Sequence, residues 1–74
     1  MKVHKLQADK EFQVRDAQNN LIEIPANYKF SGKAKTYVKN LCEKMRIKVE
    51  PDGNKFKSTI IMTDVPCSYV SFID

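Results

Sequence analysis

The basic residues of this sequence are concentrated in one segment of the chain. Nine of the thirteen Lys and Arg residues lie between Tyr28 and Lys57, and only three acidic residues share that segment. The formal net charge of +4 is therefore a local excess, because the flanks are neutral or slightly acidic. Potentials from neighbouring cations add within a Debye length of about 8 Å at physiological salt. Such a segment favours a surface that binds phosphate groups.

The basic segment, residues 28–57, leads to a first functional hypothesis. We predict a non-enzymatic protein that contacts the phosphates of a nucleic acid or of a nucleoprotein complex, with side chains that position the backbone and do not read base edges. Aromatic residues alternate with the bases at Tyr28-Lys29-Phe30 and Lys55-Phe56-Lys57, a combination that single-strand binders use for stacking. A purely structural role remains open, since lysines also cover apolar stripes and protect sheet edges. The predicted contact residues are Lys35, Lys39, Arg46, Lys48, Lys55 and Lys57.

A second hypothesis is a protein-binding role. Ile61, Val70 and Phe72 are out of phase with the neighbouring apolar residues Ile60, Met62 and Tyr69, so the last strands have apolar residues on both faces. One helix covers only one face of a sheet, and the other face would then meet a partner or a second copy of the chain. The alternative is therefore an inhibitor or adapter of the phage or mobile-element accessory type, with a possible homodimer.

Catalytic chemistry has little support in the sequence. Ser31-Gly32-Lys33 resembles the end of a phosphate-binding P-loop, but Asn27 stands where the motif needs its first Gly, and Ala34 follows the Lys. His4 is the only histidine and is expected to be a solvated residue on a terminal strand. Asp64 and Glu23 show no sign of meeting. We predict no enzymatic activity and no cofactor.

The cysteine content predicts neither a disulfide framework nor a metal site. Cys42 and Cys67 are far apart in sequence and form no CxxC pair, so we expect two buried free thiols and no bound metal. The N-terminal residues 1–5 lack an apolar run behind their charges, and no apolar stretch approaches the roughly 20 residues that span a bilayer. These features favour a cytoplasmic protein with no membrane partner.

The length of 74 residues predicts a single domain over residues 1–74 with a thin core. Apolar residues alternate around Phe12 and Val14 and again over residues 21–24, with an Asn-rich link between, which predicts an antiparallel hairpin ended by Pro25. Residues 3–7 are a candidate strand before this hairpin.

From Ser31 the apolar spacing changes to steps of three and four, which predicts an amphipathic helix. Ser31 is a suitable N-cap, and no Pro or Gly interrupts residues 33–46. We expect this face to pack on the sheet, with Leu41 and Val38 buried against Val49, Phe56 and Ile60. The apolar face consists of Ala34, Tyr37, Val38, Leu41, Cys42 and Met45.

After the helix, a second hairpin is expected around the turn signal Pro51-Asp52-Gly53-Asn54. Its register places Lys48 opposite Lys57. Asp64-Val65-Pro66 predicts a further turn, and residues 67–73 a last strand. The predicted fold is therefore an α+β domain: a mainly antiparallel sheet of five or six short strands with one amphipathic helix packed on one face, in the order β-β-β-α-β-β-β.

Overall fold

The computed structural model describes residues 2–16 and 18–74, and strands form most of this part of the chain. Seven strands and one short 3-10 helix follow one another, and no α-helix occurs among the described residues. In chain order the elements are β1 (Val3–Ala8), β2 (Phe12–Arg15), β3 (Leu21–Ile24), β4 (Lys29–Lys39), β5 (Cys42–Val49), β6 (Ile60–Pro66), the 3-10 helix (Cys67–Tyr69) and β7 (Val70–Phe72).

Five strands form one antiparallel sheet in the order β6-β5-β4-β1-β7, and β2 pairs with β3 in a separate hairpin. The long strand β4 is shared by two halves of the main sheet, because residues 29–33 pair with β1 and residues 32–39 pair with β5. Gly32 lies where the halves meet. A Cβ atom there would stand 2.7 Å from the backbone oxygen of Lys48. The close approach of the two backbones therefore requires glycine at this position.

The core lies on one face of the main sheet. Successive side chains of a strand point to opposite faces, so alternate residues of each strand reach this core. Ile24 of the β2–β3 hairpin and Phe56 of the loop between β5 and β6 are fully buried in it. The opposite face of the sheet has no such cover and is called the outer face below. The buried apolar residues are Leu6, Ala8, Ile24, Phe30, Met45, Ile47, Val49, Phe56, Ile60, Met62, Val65 and Val70.

The predicted α+β fold with an amphipathic helix is wrong, because the segment assigned to the helix forms the β4–β5 hairpin. Its turn has two residues, Asn40 and Leu41, with φ of 53° and 64°, the left-handed values of a type I′ turn. Ser31 caps no helix. It lies inside β4, and its carbonyl accepts a hydrogen bond from the Glu50 N–H at 2.8 Å.

The error arises because the two-residue turn changes whether even-numbered or odd-numbered residues face the core. Paired residues of β4 and β5 have numbers that add to an odd total, so even-numbered residues of β4 share a face with odd-numbered residues of β5. Ala34 and Ile47 face the core in this way, and so does Met45. Ala34 and Met45 are eleven residues apart, a spacing that also equals three helical turns. The apolar residues of the hairpin therefore have a spacing in sequence that is also expected of a helix.

The expected burial of Leu41 and Val38 is also wrong. Leu41 is 98% exposed at the turn and Val38 is 70% exposed near it. Towards the hairpin turn, the pairing of β4 with β1 ends at residue 33, and the pairing of β5 with β6 ends at Lys44. Residues 38–43, the hairpin tip, therefore extend past both neighbouring strands.

The second predicted hairpin is wrong in register. Residues 50–59 form a loop, and Lys48 pairs with Lys33 on one side and Ile61 on the other, so it does not oppose Lys57. The turn predicted at Asp64 is a bulge within β6, and the start of the last predicted strand, from Cys67, is a 3-10 helix.

The predictions for the N-terminal strands are confirmed. β1 covers the candidate strand, and β2 and β3 form the expected hairpin, which ends just before Pro25. Among the described residues, no helix has the length and apolar character needed to cross a membrane.

Candidate nucleic-acid interface

The outer face of the β4–β5 hairpin carries a ladder of basic side chains. The register pairs Lys33 with Lys48 and Lys35 with Arg46, and Tyr37 with Lys44 follows two residues further along. Directly opposed residues in an antiparallel pair have Cβ atoms about 4.5–5.5 Å apart. Two like-charged pairs therefore stack in consecutive positions on one side of the hairpin.

The four cations of these two like-charged pairs line a shallow cavity, called the basic groove here. Its volume is about 520 Å³, and it is lined by Ile61 of β6 in addition to Lys33, Lys35, Arg46 and Lys48. Ile61 is half exposed and pairs with Lys48 across the β5–β6 ladder. The groove thus has an apolar wall on one side and a double row of positive charge on the other.

In the described part of the chain, no acidic side chain forms an ion pair with the basic groove. Within residues 2–16 and 18–74, the ion pairs closer than 4 Å are Lys39 with Asp64 and His4 with Asp74. The four groove cations belong to neither pair. Like charges directly opposite each other are destabilising in a sheet, so the folded chain retains an unfavourable arrangement that a bound anion would relieve.

Lys39, a predicted contact residue, lies outside the groove and is already paired. Its Nζ is 2.7 Å from Oδ2 of Asp64, and the Tyr37 hydroxyl donates to Oδ1 of the same carboxylate. Asp64 sits at the β6 bulge with φ of 59°, which turns its side chain across β5 towards β4. The hydrogen bond from Lys39 and that from Tyr37 hold the pKa of Asp64 below its ordinary value. The same carboxylate raises the pKa of Lys39 and of Tyr37.

Lys55 and Lys57 are exposed on the 50–59 loop, on either side of the buried Phe56, and neither lines the groove. Asp52 organises this loop: its Oδ1 accepts the Asn54 N–H at 2.8 Å and the Phe56 N–H at 3.1 Å. Desolvation acts to raise the pKa of Asp52, but these bonds and a hydrogen bond from the Tyr28 hydroxyl outweigh it and lower that pKa. The loop lysines are thus held by a separate structural unit.

The aromatic residues next to the bases are not available for base stacking. Phe30 and Phe56 are buried, and their ring centroids are 5.6 Å apart. Tyr28 is half-buried against both, with centroid distances of 6.4 Å and 6.0 Å. Phe30 points inwards from β4, and Phe56 reaches the core from the 50–59 loop, so neither ring belongs to a stacking surface.

The three residues predicted for an apolar protein interface do not share a surface. Val70 is 3% exposed and belongs to the core, whereas Ile61 and Phe72 are about half exposed. β6 and β7 are the two edge strands of the main sheet, so Ile61 and Phe72 are separated by its width. Phe72 contacts His4 with ring centroids 4.8 Å apart, while Ile61 lines the basic groove.

The P-loop-like tripeptide and the only histidine both lie on strands of the main sheet. Gly32 and Lys33 of the P-loop-like tripeptide are strand residues, and His4 is within 3.2 Å of the Asp74 carboxylate. The predicted burial of the cysteines is wrong, because Cys42 is exposed and Cys67 is half-buried. No cluster of three or more metal-ligating side chains occurs within residues 2–16 and 18–74.

Sequence reasoning missed two members of the groove. Lys33 is not among the predicted contact residues, and Ile61 is predicted for a protein interface instead. A strand period over residues 29–35 would have put Lys33 and Lys35 on one face, since they are two residues apart. Comparison with known proteins adds no assignment: no family model, no curated protein and no solved structure matches the chain.

Proposed function

We propose that the protein is a non-enzymatic binding protein whose outer face contacts nucleic-acid phosphates. The observation that carries this proposal is the basic groove, in which Lys33, Lys35, Arg46 and Lys48 are stacked as two like-charged pairs with no acid within 4 Å among the described residues. Phosphates spaced along a backbone supply the repeated negative charge that such a ladder attracts.

The geometry supports backbone contact without base reading. Three of the four groove cations are lysines, which act as point charges, and only Arg46 has the planar fork suited to bidentate hydrogen bonds. The aromatic residues that alternate with the bases in sequence are packed in or against the core, and Tyr37, the aromatic of the cation ladder, is held by its hydrogen bond to Asp64. Binding is therefore expected to depend weakly on sequence and strongly on salt.

The apolar sheet face of the inhibitor or adapter hypothesis lacks comparable support, because Val70 is in the core and the two exposed members are on opposite edge strands. A cytoplasmic location is consistent with a nucleic-acid partner and is part of the proposal.

A fluorescence titration tests the proposal. Labelled duplex and single-stranded oligonucleotides are titrated at several salt concentrations with the wild-type protein, with Lys48→Glu in the groove and with Lys57→Glu on the loop. The two variants change the net charge equally, so only the position of the charge differs. Wild type should show a linear fall of log affinity with log salt. Lys48→Glu should bind more weakly with a shallower slope, and Lys57→Glu should remain close to wild type.

Two results would contradict the proposal. Absence of binding at low salt, where non-specific phosphate contacts are strongest, would exclude the nucleic-acid function. Equal losses in the two variants would mean that net charge, and not the groove, determines binding.

A further inference from the structure

The tip of the β4–β5 hairpin combines two unfavourable features in one residue. Leu41 is the most exposed large apolar residue in the described part of the chain, at 98%, and its φ of 64° lies in the left-handed region that favours Gly, Asn and Asp. The second position of a type I′ turn is usually glycine. Backbone strain that persists at an exposed residue is typical of functional positions.

We infer that this tip enters a groove of a nucleic-acid duplex and places Leu41 among the bases. The inference rests on the proposed function, because it needs a nucleic acid bound to the outer face. It adds a duplex as the ligand and the hairpin tip as a second contact surface. Proteins that bend DNA commonly insert apolar side chains such as Leu between base steps.

The dimensions of the hairpin fit this arrangement. Lys44 is three residues from Leu41 along β5, a distance of about 10 Å at about 3.3 Å per residue. Both grooves of B-form DNA are about 7.5–8.5 Å deep. A tip that reaches the groove floor therefore brings the level of Lys44, and of its partner Tyr37, to the rim where the phosphates lie.

The basic groove continues from this level towards the body of the protein. Arg46 and Lys48 follow Lys44 on the same face of β5, with Lys35 and Lys33 opposite them on β4. The hairpin thus presents the exposed Leu41 at its end and then a run of cations. This order suits a ligand whose interior is apolar and whose rim is anionic.

Val38 is a second exposed apolar side chain near the tip. Val38 is 70% exposed and pairs with Glu43 on the side opposite the cations. Asn40, the other turn residue, offers a polar side chain next to Leu41. A duplex is favoured over a single strand because the aromatic residues that alternate with the bases in sequence are packed in or against the core, and stacking on such residues is a common mode of single-strand binding.

The test uses a 20-base-pair duplex with one flexible TA step, in which 2-aminopurine replaces the adenine, and with a donor and an acceptor dye at its ends. Binding, base unstacking and bending are measured for the wild type, Leu41→Gly, Leu41→Met and the control Leu21→Ala. Leu21 is a second exposed leucine, located on β3 and not in the β4–β5 hairpin. Glycine suits the left-handed turn, so Leu41→Gly should remain folded with an unchanged or higher Tm.

The inference predicts that wild type raises both the 2-aminopurine fluorescence and the end-to-end energy transfer. Leu41→Gly should bind roughly tenfold more weakly with the same salt slope and should lose both signals. Leu41→Met should restore the signals, and Leu21→Ala should match wild type. Salt-dependent binding in which Leu41→Gly behaves like wild type would overturn the inference and leave the proposed function intact. No binding of the duplex by the wild type at low salt would overturn both.

Discussion

The backbone positions of Leu41 and Gly32 both depend on residue type, and they do so in opposite ways. Leu41 occupies a conformation that suits glycine, whereas Gly32 occupies an ordinary strand position that has no room for a Cβ. The geometry at each position therefore determines whether a substitution raises or lowers the stability of the protein.

Leu41→Gly should stabilise the protein. The left-handed conformation costs a residue with a Cβ about 1–2 kcal/mol, while glycine adds about 0.4–1 kcal/mol of unfolded-chain entropy, so the net gain is up to about 1.6 kcal/mol. The side chain loses no packing because it is 98% exposed. Urea denaturation of the variant and wild type measures the change, and a clear loss of stability would show that the turn is not left-handed at residue 41.

Gly32→Ala should destabilise the protein by roughly 1–3 kcal/mol, the usual range for an overpacked interior site. The added methyl group would meet the Lys48 backbone oxygen at 2.7 Å and the Ile47 side chain at 3.1 Å. Gly53→Ala is a useful comparison, since nothing lies within 4 Å of its position and only its φ of 73° opposes the change. Thermal melts decide, and an unchanged Tm for Gly32→Ala would contradict the close approach of β4 and β5.

At the scale of elements, the bulge in β6 fastens the outer part of the hairpin to the sheet through Asp64. Its pKa is lowered in the folded state by Lys39 and Tyr37. The stabilising contribution of this carboxylate is therefore complete above its unfolded pKa of about 4 and is lost as the pH falls through the lower folded value.

Asp64→Asn should flatten this acid dependence. Asparagine also tolerates a positive φ, so the bulge should be retained while the charge is removed. Between pH 6 and pH 2 the Tm of wild type should fall further than that of the variant, although Asp52 and Asp74 also have lowered pKa values and keep some slope in both. Parallel profiles for the two proteins would mean that Asp64 is not held by its charged partners.

The predictability of each element from sequence depended on how local its signal is. The β2–β3 hairpin was predicted because alternation and an Asn-rich link lie within a short window. The β4–β5 hairpin was not, because its two-residue turn shifts the parity of the apolar positions and produces a helical spacing. Lys35, Arg46 and Lys48 do lie together in the groove. They were predicted as contact residues from the charge excess of residues 28–57, and their grouping follows from strand pairing.

At the scale of the whole molecule, the charge distribution opposes stability and supports binding. Lys48 faces Lys33 across the sheet, so Lys48→Glu would replace a like-charged pair by an opposite-charged pair. The variant should gain a few tenths of a kcal/mol up to about 1 kcal/mol of stability at low salt. The same change should weaken nucleic-acid binding, as described above.

The proposed function predicts that Lys48→Glu raises the stability of the protein and lowers its affinity for nucleic acid. Denaturation at low and at high salt should show the gain of Lys48→Glu shrinking as salt screens the pair. Lys57→Glu, on the loop, should show no comparable gain. A variant that loses stability along with binding would indicate a structural role for Lys48.

The pairing of the first strand with the last has a consequence for how the chain folds. A hairpin with a two-residue turn forms in about 1–10 μs, so we expect β4 and β5 to pair early. β1 meets β7 across almost the whole sequence, and closing so long a loop is entropically slow. Until β7 docks, the edge of β1 is open and can pair with a strand of another chain. The delay between these two events sets the period in which a newly made chain is vulnerable to aggregation.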